Sequence, residues 1–307
     1  MKRFTTLALA VLALLSVSCK KEIPVAQEEF TATFTISLPD EIQTKGYSDG
    51  AKATELYYAV YRNGSRERGS TGPEEIHVGT PKTVTIDRLV KDYKYDIVFW
   101  AQAPGAPYTF NQTDATVTVN YSGAANDEKR DAFYCLVKDY VHTDNSTSVE
   151  LRRPFAQINF LSADYSAVGE GVTSKITMSD IPNVLNVLTG RAEGSANIDF
   201  DAAPIPSNSE TLTDTANGTS YRYVSMNYIL TNTDNSDTRT VLGTFYYDNG
   251  AKNVALDVYN VPFKRNYRTN IIINQLFTGT ASFTVEIVPT YGPNDDQNLW
   301  HPYTIIW

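Results

Sequence analysis

Two cysteines and three histidines have the widest chemical repertoire in this 307-residue chain, and their spacing gives them little catalytic work. His77, His142 and His301 are far apart, in or beside segments rich in turn residues. None sits in a His-Glu-x-x-His pattern or near a cysteine pair, the arrangements that hold zinc. No metal site and no cofactor is expected. No Gly-x-Ser-x-Gly turn is present to offer a serine nucleophile. Gly169 and Gly171 lack the third glycine and following helix of a phosphate-binding loop. Residues 234–237 have the composition of a calcium loop without its glycine or closing glutamate. Asp127, Glu128 and Asp131 stand beside Lys129 and Arg130, a grouping expected to form surface ion pairs. No catalytic residue is assigned, and the chain is expected not to be an enzyme. Cys135, within Phe133-Tyr134-Cys135-Leu136-Val137, is expected to be a buried, inert thiol.

Cys19 differs because of what precedes it. Lys2 and Arg3 make a positive start, residues 7–15 are an unbroken run of Leu, Ala and Val, and Ser16 and Ser18 lead into the thiol. The run is too short to span a bilayer, which needs about 20 apolar residues. Charge, length and small-residue exit are those of a signal peptide over residues 1–18. A cysteine directly after that exit resembles the lipobox of bacterial lipoproteins, although Ser16 stands where Leu or Val is commoner. The resemblance implies cleavage before Cys19, acylation of its thiol and an anchor in the outer membrane through the N-terminal lipid. The charged cluster Lys20, Lys21 and Glu22 resembles the signal that carries Bacteroidetes lipoproteins to the outer face of that membrane. The expected location is therefore the cell outer membrane, lipid-anchored and facing the exterior, with residues 19–29 as a tether.

The full chain has a net charge of −9, and without Lys2 and Arg3 it carries 24 basic against 35 acidic residues, a net of −11. An acidic chain with no basic clusters argues against nucleic acid as a partner and against electrostatic docking on anionic lipid. With Cys19 acylated, Cys135 has no partner for a disulfide, so stability must come from apolar burial.

Strands and turns run almost throughout. Residues 30–38 alternate strictly, with Phe30, Phe34, Ile36 and Leu38 on one face and Thr and Ser on the other, as in a half-buried strand. Further strands are expected at 56–62, 83–86, 93–100, 115–121, 149–160, 174–178, 198–200, 221–230, 241–247, 254–259, 270–277 and 281–289. Turn clusters such as Asn63-Gly64 and Pro104-Gly105 separate them, and Asp248-Asn249-Gly250 reads as a hairpin turn. This pattern predicts an all-β fold of antiparallel sandwiches. Length suggests two domains, 30–147 and 148–292, with the boundary at the polar stretch 144–148. An apolar C-terminal tail, 293–307, ends in Tyr303-Thr304-Ile305-Ile306-Trp307.

Five segments together resemble the fimbrillin-like surface lipoproteins of Bacteroidales: 46–50, 95–102, 126–134, 151–160 and 261–270. The most specific is the last, Val261-Pro262-Phe263-Lys264-Arg265-Asn266-Tyr267-Arg268-Thr269-Asn270. The resemblance is to an uncharacterised branch of the fimbrillin, or type V pilin, superfamily. It implies two tandem transthyretin-like β-sandwich domains and a fimbrial or adhesive role, with other fimbrial subunits or further copies of the chain as partners. In the related pili a protease cuts after a basic residue beyond the first strand, and a strand from the next subunit fills the groove. Here Lys45-Gly46 is the processing candidate, Lys45 standing where the related pilins have arginine, and Tyr303, Ile305 and Trp307 are the donor-strand candidates. Asp214-Thr215-Ala216 resembles an O-glycosylation motif of Bacteroidetes exported proteins and makes Thr215 a candidate. The alternative reading is a non-polymerising surface lipoprotein that binds host or dietary glycans through aromatic residues such as Tyr57, Tyr58, Trp100, Tyr108, Tyr165 and Tyr291.

Overall fold

The computed structural model describes residues 27–39, 49–163, 172–205, 211–213, 218–231, 239–248, 250, 253–274, 276, 282–289 and 303–305. These residues form 23 strands and no α-helix, with one 3-10 turn at Glu128–Arg130. The fold is all-β and its sheets are mostly antiparallel.

The first sandwich has two facing sheets. One is three-stranded, with β1 (Glu29–Ser37) between β5 (Lys82–Val90) and β10 (Thr147–Glu150). The other runs β3 (Ser65–Gly69), β2 (Glu55–Arg62), β6 (Tyr95–Gln102), β9 (Phe133–Tyr140), with β4 (Glu74–Glu75) beside β2. Asn63 and Gly64 join β2 to β3 at φ 51° and 79°, the paired positive values that a tight two-residue hairpin turn requires. Between the sheets lies a core that includes Phe34, Ile36, Leu56, Val60, Val84, Ile97, Phe99 and Phe133.

Strand β6 is buried along almost its whole length because it faces two cores. Ile97, Phe99 and Ala101 point into the first, while Val98 and Trp100 join a second that continues into the C-terminal half. A strand covered on both faces reads as a continuous apolar run rather than an alternation, as 97–101 does.

The C-terminal half pairs a sheet ordered β17 (Thr211–Thr213), β18 (Ser220–Leu230), β11 (Phe155–Ser162), β21 (Tyr267–Asn274), β22 (Ser282–Pro289), β23 (Tyr303–Ile305) with another ordered β15 (Ala196–Asp199), β12 (Thr173–Ile181), β19 (Arg239–Asp248), β20 (Asn253–Phe263). Strand β16 (Ala203–Pro204) lies beside β12. Phe160 of β11 stacks on Phe245 of β19 at 4.3 Å and 12°, joining the two sheets. The hairpin expected at 248–250 joins β19 to β20, with Asn253 opposite Asp248.

A further sheet links the halves: β7 (Tyr108–Asn111) and β8 (Thr116–Val119) continue into β13 (Val184–Asn186) and β14 (Ala192–Glu193). The stretch 149–160, expected as one strand, is two. Strand β10 pairs in parallel with β1 in the first sandwich, whereas β11 lies in the C-terminal sheet. Pro154, which has no N–H to donate, stands immediately before β11.

Candidate functional site

The first strand is held on both sides and from below. Its even-numbered residues, Phe30, Ala32, Phe34, Ile36 and then Leu38, are all buried. Phe34 packs 5.3 Å from Phe99 and 5.0 Å from Tyr140, and Phe30 lies 4.5 Å from the His142 ring. On one side β1 runs antiparallel to β5, with Phe34 opposite Val84, and on the other parallel to β10, with Ile36 opposite Val149. Thr31 Oγ1 donates to Asp87 Oδ1 at 2.9 Å, and Lys91 pairs with Glu28. Loss of this strand would open a groove with two unpaired backbone edges and five empty side-chain positions. Another strand of alternating apolar residues is what fits such a groove.

Tyr303 and Ile305 lie in β23, at the far edge of the C-terminal sheet, where Tyr303 faces Val285 and Ile305 faces Phe283 in the antiparallel register. Cys19, Lys45, Gly46, Thr215 and Trp307 lie outside the described residues, as do His301, Tyr165, Tyr291, Gly169, Gly171 and residues 234–237. Residues 39 and 49 bracket the stretch that contains Lys45.

Four of the five segments that carry the sequence resemblance, 95–102, 126–134, 151–160 and 261–270, contribute residues to the seam between the halves. At its centre Arg153 makes a bidentate pair with Asp131, Nε to Oδ1 at 2.5 Å and Nη2 to Oδ2 at 2.6 Å, with its guanidinium 4.5 Å above the Phe133 ring. Burial raises the Asp131 carboxyl above its ordinary value, while Arg153 opposes the rise, with Arg268 adding to that opposition and Asp49 to the rise. Trp100 and Tyr108 pack against Phe155 at 6.4 and 5.2 Å. Tyr134 Oη donates to the Val187 carbonyl, and Tyr121 Oη donates to Pro182 while accepting from Leu230 N–H. Burial pushes the Tyr108, Tyr121 and Tyr134 phenols well up.

Two expectations are corrected here. Asp131 and Arg130 are not surface ion-pair residues: their exposures are 1% and 3%, and the partner of Asp131 is Arg153, 22 positions away. Arg130 donates to the Asn120 and Ser122 carbonyls at 2.8 and 2.6 Å and stacks over Phe200. Asn126 is the residue that sequence reasoning missed. Its Nδ2 donates to Ser174 Oγ and the Ala203 carbonyl, while its Oδ1 accepts from Met226 N–H and Ser225 Oγ, so one side chain bridges β18, β12 and β16. Only its place in segment 126–134 hinted at this.

Beside the seam an open cleft of about 500 Å³ is lined by Tyr134, Cys135, Leu136, Glu150, Arg152, Thr189, Gly190 and Arg265. Arg265 Nε donates to the Arg153 carbonyl at 3.0 Å, and its guanidinium stands 5.3 Å from the Tyr134 ring. Burial lowers its pKa from the ordinary arginine value. Arg152 pairs loosely with Glu150 at 3.5 Å. The Cys135 thiol is half-buried, and burial raises its pKa, away from nucleophilic reactivity. His77 pairs with Glu75, and His142 with Asp144. Of the aromatic candidates, Trp100 and Tyr108 are core residues, and Tyr57 and Tyr58 are partly buried. Among the described residues no group of three or more His, Cys, Asp or Glu could hold a metal ion, and no helix is long and apolar enough to cross a membrane.

The model of a family of unknown function (DUF6562) matches residues 24–305. No curated protein sequence is significantly similar to the chain. Solved structures similar to it are Bacteroidales fimbrial and adhesion-type proteins. One is a fimbrial assembly protein from Parabacteroides distasonis, at 11% identity and TM-score 0.45, covering 85% of this chain and 96% of that one. Another, from Bacteroides thetaiotaomicron, is described as polysaccharide-binding, at 12% identity and TM-score 0.48, covering 87% and 99%. A third is the fimbrial anchor protein Mfa2 from Porphyromonas gingivalis, at 11% identity and TM-score 0.42, covering 84% and 97%. At these scores the likenesses are loose, and the fold is read from the strand pairing itself.

Proposed function

The chain belongs to this family of unknown function (DUF6562), and on that premise we propose that it is a fimbrial or adhesion-type surface component. It is exported and first held in the outer membrane through acylated Cys19; cleavage at Lys45 then releases that anchor together with β1, and the chain joins neighbouring subunits by strand exchange. The observation that carries this reading is the position of β1. It is a single alternating strand with buried residues on one face, paired on both edges, and it ends at Ser37, eight residues before Lys45. Cleavage there separates β1 from the rest of the chain covalently while leaving its groove intact. Tyr303, Ile305 and Trp307 repeat every second residue, as the buried face of β1 does, and among the described residues β23 sits at a sheet edge, joined to β22 alone. Backbone pairing on both sides of the groove would supply affinity, and the three side chains would supply register.

The test is the polymer. Wild-type surface extracts should give SDS-resistant ladders, and Lys45→Ala and a chain ending at residue 302 should each abolish them. Ladders that persist in both variants would overturn strand exchange.

The open cleft favours a second reading, a surface lipoprotein that binds glycans. Its lining mixes polar and apolar groups, it lies apart from the β1 groove, and its volume is that of a small-molecule site.

A further inference from the structure

Arg265 has an unusual position. It is half-buried, its Nε is committed to the Arg153 carbonyl, and no carboxylate among the described residues lies within ion-pair distance of it. A guanidinium taken largely out of water normally faces a carboxylate, because an unpaired charge of that kind is costly to bury. This one faces the cleft. The other charges lining the cleft, Arg152 and Glu150, pair with each other. Lining charges therefore sum to one uncompensated positive charge, which suits a monoanion better than a phosphate dianion.

Guanidinium geometry matches a planar carboxylate through two parallel N–H donors. Around it the lining is polar and apolar in about equal measure. Glu150 accepts from hydroxyl groups, Arg152 donates to them, and Thr189 does either. Leu136, the half-buried Cys135 and Tyr134 supply the apolar part.

We propose that this cleft binds a hydroxylated monocarboxylate, the chemistry of a uronic acid residue in an acidic glycan, with Arg265 anchoring the carboxylate. The inference rests on the glycan-binding reading and adds the substrate class and the anchoring residue. The β1 groove plays no part in it, so it holds for a polymerising and a solitary chain alike.

Binding to the purified full chain would be measured by calorimetry with galacturonate, galactose, and a short neutral peptide bearing a free C-terminal carboxylate. Galacturonate should bind at least about tenfold more tightly than galactose, as loss of a charged hydrogen bond implies. Arg265→Gln should remove that preference and Arg265→Lys should restore part of it. Glu150→Gln should tighten galacturonate a few-fold by removing the opposing charge and releasing Arg152. If Arg265→Gln fails to fold, Arg152→Gln and Glu150→Gln carry the test, with opposite signs expected. Galacturonate bound no better than galactose would overturn the acid specificity while leaving the glycan reading intact. Absence of binding by either sugar would overturn both. Equal or tighter binding of the peptide would reassign the cleft to a protein partner and overturn the saccharide proposal.

Discussion

At the scale of single residues the seam depends on a few groups whose loss leaves buried partners exposed to nothing. Removing one member of a buried ion pair leaves the other charge uncompensated, so Asp131→Ala should destabilise the fold by about 3–5 kcal/mol in chemical denaturation. Arg153→Met together with Asp131→Leu should recover most of that loss, because both charges then disappear. Asn126→Ala orphans four groups and should cost about 2 kcal/mol or more. Asn126 has φ 56°, so Asn126→Gly should recover only the backbone strain of the alanine variant, about 1 kcal/mol, and stay well below wild type if the bonds are what matter. Burial raises the Tyr57 and Tyr61 phenols to about 12, and Tyr108, Tyr121 and Tyr134 move the same way. The unfolded chain ionises these groups near pH 10 while the folded chain holds their protons. Stability should therefore be complete below pH 10 and fall as pH rises toward 12, with ultraviolet phenolate absorbance lagging behind that of the unfolded chain. None of the seam partners was legible locally. Asp131 sits next to Arg130 in sequence, and adjacency suggested a surface pair; the true partner, Arg153, arrives through a different strand crossing.

At the scale of elements, β1 shows what a strict alternation conveys. Phe30, Phe34, Ile36 and Leu38 were readable as one buried face, and all four are buried. Phe34→Ala, which removes a ring held between Phe99 and Tyr140, should cost about 3–5 kcal/mol. Long strands with clear period or composition, such as β2, β6, β18 and β22, were found from sequence. The short ones, β4, β13, β14 and β16, were not, because two or three residues contain no period to read. Strand β6 was legible as a strand, but its two-faced burial becomes evident only when a second core meets Val98 and Trp100. The stretch 149–160 was misread as continuous because both halves are β-formers; Pro154 was the available signal of a break.

At the scale of the whole molecule, the halves share a sheet, a core cluster and a buried polar seam. They should therefore unfold together, giving a single transition in wild type. Asp131→Ala should lower the transition of both halves rather than of one, as read by calorimetry alongside aromatic circular dichroism. The resemblance segments were recognisable in the sequence as motifs, yet the convergence of four of them on one seam was not, since those four are spread from residue 95 to residue 270. That shared packing gives the proposed exchange its logic: a strand can be withdrawn from one end of a scaffold only if the remainder holds its shape. The most direct test is the N-terminal sequence and intact mass of the protein released from washed cell surfaces. Cleavage and strand exchange predict a chain that begins at Gly46 and carries no lipid. A chain that begins at acylated Cys19, with the bond after Lys45 intact, would contradict assembly through loss of β1.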